Sequence, residues 1–109
     1  MAIWKSKPER IREAMVADMS AWAKVPNEVR LDAVRQFLKS EYPNDFPNYN
    51  PIVVAMVEWQ VREQIDDLTK EGKTMPVLAV ALIAVSRLNH ITRERGHEAV
   101  WKDFLEANP

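Results

Sequence analysis

Cysteine is missing from this chain altogether, and glycine occurs only at Gly72 and Gly96. The first absence removes disulfides, thiolate metal sites and cysteine nucleophiles, and it suits a reducing compartment such as the cytoplasm. The second leaves no room for a glycine-rich phosphate loop. Neither sign of charge dominates: 15 Lys and Arg face 16 Asp and Glu, for a formal net charge of −1. Nucleic-acid contact would have to come from a local basic patch rather than from the average field. Long apolar runs are scarce as well. The longest, PVLAVALIAV from Pro76 to Val85, is about half of the roughly 20 residues that a membrane span needs. It reads as buried helix, and no membrane contact is expected. The opening MAIWKSKPER lacks the apolar stretch of a secretory leader.

What remains is an ordinary globular composition on 109 residues, enough for one domain, residues 1–109, around one core. Apolar residues recur with a period near 3.6 and nowhere alternate with period two. A first helix opens at SKPE, where Ser6 can cap, Glu9 can reach back and Pro8 suits the first turn. Its stripe is Ile11, Met15, Met19 and Trp22, with Asp18 at the edge in water. A second helix starts near Pro26 and buries Val29, Ala33, Val34, Phe37 and Leu38. On its far side Glu28, Asp32, Arg35 and Lys39 are spaced for weak surface pairing.

Asn50 and Pro51 mark the start of a third helix, which Gly72 ends in a left-handed turn. This helix carries two stripes. Val54, Val57, Val61, Ile65 and Leu68 form one, and Ile52, Met56 and Trp59 form the other, so it needs cover on both sides. A fourth helix follows Thr74 and Pro76; it is apolar nearly all round to Val85 and is expected at the centre. Gly96 ends or bends it. A short last helix points Val100, Trp101, Phe104 and Leu105 inward. The expected fold is an all-α, antiparallel bundle of about five helices.

Between the second and third helices lies EYPNDFPNYNP, Glu41 to Pro51. Its prolines fix φ and disfavour helix in the residues before them. The loop therefore presents Tyr42, Phe46 and Tyr49 at low entropic cost, which suits recognition as well as covering the core.

Catalytic constellations are weak. His90, Glu94 and His97 have helical spacing, but a di-iron or zinc site needs more ligands than this chain supplies. Glu63 and Asp66 form one acidic pair without a facing partner for Mg²⁺. No metal, no cofactor and no enzymatic activity are expected, with a helical metal or nucleotide enzyme built on Glu63, Asp66, His90 and Glu94 as a distant third reading. The leading expectation is a non-catalytic protein-binding module (adaptor, inhibitor or regulator) whose partner is another protein or a second copy of itself. Its surface would include Tyr42, Phe46, Tyr49 and Trp59. The alternative is a nucleic-acid-binding regulator using Lys5, Lys7, Arg87, Arg93 and Arg95, opposed by the interleaved Glu9, Glu13, Glu94 and Glu98.

Overall fold

The computed structural model describes residues 6–45 and 50–109. Among the described residues every regular element is helical: α1 Lys7–Val16, a 3₁₀ helix Met19–Lys24, α2 Asn27–Glu41, α3 Pro51–Lys70, α4 Val77–Arg95 and α5 His97–Ala107. Among the described residues no helix is long and apolar enough to cross a membrane.

The start signals operate as expected. Ser6 Oγ accepts the Glu9 N–H at 3.4 Å, and Asn50 Oδ1 accepts the Ile52 N–H at 2.8 Å. At the other end of α3, Gly72 takes φ 72°. Its N–H bonds to the Thr69 carbonyl, and the Lys73 N–H returns to that of Leu68. This paired closure needs a left-handed residue, and only glycine adopts that conformation without cost.

The first helix is shorter than its apolar stripe suggests. It stops at Val16 because the next three residues are claimed by other bonds. The Asp18 carboxylate accepts the Ser20 N–H at 2.9 Å and starts the 3₁₀ helix. The extended backbone beside it pairs with the segment before α4: Met19 N–H to Met75 O and Val77 N–H to Ala17 O, each 2.9 Å. Thr74 does not cap α4, since its hydroxyl donates to Asp18 instead. Met15, Met19 and Trp22 remain buried despite the break.

The Thr74 hydroxyl, followed by the bonds from Ser20, holds the Asp18 carboxyl below the ordinary aspartate value of 3.8. A depressed folded-state pKa gives stability that is present above the unfolded value and lost as pH falls through the folded one. Asp18→Ala is therefore expected to lower Tm modestly at neutral pH. The gap from the parent should close only below pH 3.8, which melting curves across an acid series would measure.

α3 and α4 form the most extensive helix pair, while α1 packs on α2 and α5 packs on α4. The core is rich in valine and alanine: Val54, Val57 and Val61 from α3, with Val77, Val80, Ala81, Ala84 and Val85 from α4. Each buried valine contributes on the order of 1.5 kcal/mol from apolar burial.

Two expectations about covering are corrected. α4 packs against α3, α5, α1 and the 3₁₀ helix, as a central helix should, but it is not covered all round: Leu78, Leu82 and Ile83 face outward. α5 sends Val100 inward and half-buries Phe104, but Trp101 and Leu105 stay exposed. Hydropathy marks these residues as apolar without saying how many neighbours are available to cover them.

Candidate functional site

Trp59, expected on a partner surface, lies inside the molecule at 7% exposure. Its ring meets Phe104 of α5 edge-on, with centroids 5.7 Å apart, and its indole N–H donates to Glu63 at 3.1 Å. The second stripe of α3 is thus covered at Trp59 by the chain's own last helix, although Ile52 at its beginning is exposed. Tyr42 ends α2 and leans edge-on against Phe37, with centroids 5.8 Å apart. Burial, and then the neighbouring Glu41 and Asp45 charges, push its phenol upward. Phe46 and Tyr49 lie outside the described residues, as does Lys5.

The cations of the alternative reading fall into separate local settings. Lys7 pairs with Asp32 of α2 at 2.8 Å, and Arg95 pairs with Asp103 of α5 at 2.7 Å. Arg87 and Arg93 are exposed on the second half of α4. Gly96, at φ 88°, separates α4 from α5. His90 and Glu94 therefore belong to one helix and His97 to the next, so the three do not share a helical face. Among the described residues no group of three or more His, Asp or Glu is placed to hold a metal ion.

Glu58 went unnoticed in the sequence, yet it is the most enclosed charged residue described, at 2% exposure. Trp22 Nε1 donates to Oε2 at 3.0 Å. Arg62 Nε donates to Oε1 at 2.9 Å and to Oε2 at 3.2 Å. Arg62 Nη2 then reaches Asn108 Oδ1 at 2.8 Å, so the carboxylate joins the 3₁₀ helix, α3 and the segment after α5. Arg30 approaches from α2, its Nε 3.6 Å from Oε2. Its terminal nitrogens are held by the Val25 carbonyl and Asn27, and its Nε has no hydrogen-bond partner. A carboxylate occupied by indole and guanidinium donors from its own chain is a structural junction. A signal for it existed: Glu58 sits four residues after Val54 and three before Val61, within the buried stripe, and four before Arg62, an ideal helical pairing distance.

The exposed face of α4 is the other feature that sequence reasoning missed. Leu78, Leu82 and Ile83 are 38%, 42% and 38% exposed, and they crowd into two turns on one side of the helix. One turn later the same side becomes polar. Ser86, Arg87 and His90 complete a shallow depression begun by Leu82 and Ile83. Leu78, Leu82 and Ile83 thus leave an apolar stretch exposed on the outer side of α4, bordered by polar residues.

The chain matches no protein-family model, and comparison with curated proteins and solved structures found no match.

Proposed function

We propose that this chain is a single helical domain, an antiparallel bundle, that acts without catalysis by binding another protein through the outward face of α4. The observation that carries this reading is the contiguous exposure of Leu78, Leu82 and Ile83 beside Arg87 and His90. Apolar anchors followed along the helix by cations suit a partner segment with apolar side chains and an acidic end. The anchors would supply most of the binding energy, and the charges would set orientation and association rate.

The proposed surface is moved from Trp59 to α4 because Trp59 is already spent on internal packing. Tyr42, Phe46 and Tyr49 stay in the proposal as a second contact region, probed by Tyr49→Ala.

Leu82→Glu places a charge at the middle of the apolar patch, at a site where the core does not depend on it. Capture from lysate by the parent protein is expected to yield a stoichiometric protein that survives nuclease. Leu82→Glu is expected to reduce that recovery at least about tenfold, the equivalent of roughly 1.4 kcal/mol, while the circular dichroism spectrum stays helical. Equal recovery by both proteins would place the contact elsewhere. Recovery that collapses with nuclease would replace this reading with nucleic-acid binding. Concentration-dependent sedimentation that Leu82→Glu abolishes would identify the partner as a second copy.

A further inference from the structure

A depression where α3, α4 and α5 meet holds a polar side chain that the protein itself leaves unbonded. Gln60 lines it and is only 5% exposed, yet its side-chain amide has no hydrogen-bond partner among the described residues. The amide is not sealed in, because among the described residues Arg30 Nε is the one fully enclosed side-chain polar atom without a partner. Gln60 therefore opens its N–H and carbonyl groups into the depression. An amide taken out of bulk water costs free energy unless something bonds to it.

Glu63 and Asp67 stand one turn apart on the same side of α3. Glu63 Oε1 accepts the Trp59 indole N–H at 3.1 Å, while the Asp67 carboxylate has no partner among the described residues. Like charges four residues apart on a helix repel weakly, so a cation bridging them is favoured. From α4 comes Arg87, exposed and without an ion-pair partner among the described residues. Asp103 of α5 is already paired with Arg95 at 2.7 Å. Trp59, Ile91 and Val100 supply the apolar part of the lining. The space is about 220 Å³, below the roughly 300–1,000 Å³ typical of drug-sized ligands, so its occupant is compact. A simple cation would be repelled by Arg87, and a simple anion would face two carboxylates. A ligand carrying both signs satisfies both walls, and the Gln60 amide can donate to one end or accept from the other. We propose that this depression binds a free α-amino acid with a branched aliphatic side chain. Its ammonium sits between Glu63 and Asp67, its carboxylate takes the Arg87 guanidinium in paired hydrogen bonds, and its side chain lies against Trp59, Ile91 and Val100.

The probe is L-leucine on the full chain, followed through the Trp59 indole N–H resonance, which reports directly on Glu63. Two analogues remove one charge each: isopentylamine lacks the carboxylate, and 4-methylpentanoate lacks the ammonium. Saturable shifts with leucine are expected, and each analogue should bind at least about tenfold more weakly, since each gives up one set of ionic hydrogen bonds. Gln60→Met strands no partner, so it should melt at or above the parent's temperature while weakening leucine at least about tenfold. Asp67 is exposed, so Asp67→Asn should fold normally and weaken leucine likewise. Asp66→Asn, the same charge change one residue away and outside the depression, should leave binding intact. Arg87 also borders the exposed face of α4 and is left unchanged. Shifts that stay linear with concentration, or that survive both Gln60→Met and Asp67→Asn, would overturn the assignment. It would equally fall if isopentylamine bound as tightly as leucine, the mark of an acidic surface that attracts any cation. A lower melting temperature for Gln60→Met with leucine binding unchanged would also overturn it, by assigning Gln60 to packing alone.

Discussion

Glu58→Ala is expected to remove about 3–5 kcal/mol of stability, the usual consequence of deleting one partner from a buried ionic junction. The cost comes from what the substitution strands. The Trp22 indole N–H, fully enclosed, loses its acceptor. The Arg62 Nε loses both carboxylate oxygens. Arg30, which already has one nitrogen without a hydrogen-bond partner, loses the neighbouring negative charge. For a domain of this size total stability is on the order of 5–15 kcal/mol, so the variant stands near the edge of folding. Glu58→Gln separates charge from shape: it keeps an acceptor for Trp22 but gives up the ionic attraction, and it should fall between parent and alanine. Urea unfolding followed by circular dichroism measures all three. A loss below about 1 kcal/mol for Glu58→Ala, the size typical of exposed pairs, would show that the junction is solvated and contributes little.

Trp22→Ala should be comparably severe, at about 3–5 kcal/mol, since it empties the largest fully buried side chain among the described residues and leaves a cavity that the surroundings fill only in part. Trp22→Phe keeps most of the packing yet leaves Glu58 one donor short. Its smaller loss, about 1–3 kcal/mol, would report the unmet polar group. The two sites are also coupled. With Glu58 gone, the indole no longer has an acceptor to lose, so the double alanine variant should be less destabilised than the two single losses predict when added. A shortfall of about 0.5–3 kcal/mol is the range for residues in one network. Strict additivity would mean that the 3.0 Å contact between them contributes nothing in solution.

Much of the helical architecture was legible in the sequence because its signals are local. Ser6, Asn50, Gly72 and Gly96 each act within a few residues of themselves, and each sits at a helix boundary. What could not be read depends on partners distant in sequence. α1 ends early because Asp18 meets Thr74, 56 residues away, and a stripe that continues through Trp22 says nothing about that encounter. Glu58 falls within the buried stripe of α3, but the donor that covers it, Trp22, lies 36 residues earlier. The aromatic residue singled out as a binding anchor, Trp59, was correctly recognised as needing cover. Whether Phe104 or a foreign side chain provides it is a question of tertiary arrangement, to which periodicity is blind. The same blindness hid the outward face of α4. An all-round apolar run specifies a helix that prefers burial, and the surface available in the rest of the chain decides how much of it is granted.

The joint between α3 and α4 has a consequence for the order of events in folding. The two helices are neighbours in the chain, closed by the Gly72 turn, and they share the largest interface. Short-range contacts cost little loop-closure entropy and form early. The junction at Glu58 needs Trp22, Arg30 and Asn108 to converge from three other segments, so it closes after the hairpin exists. Interactions made late in folding are lost early in unfolding, and weakening them speeds escape from the native state while refolding proceeds nearly unchanged. Glu58→Ala is accordingly expected to raise the unfolding rate while leaving the refolding rate nearly unchanged.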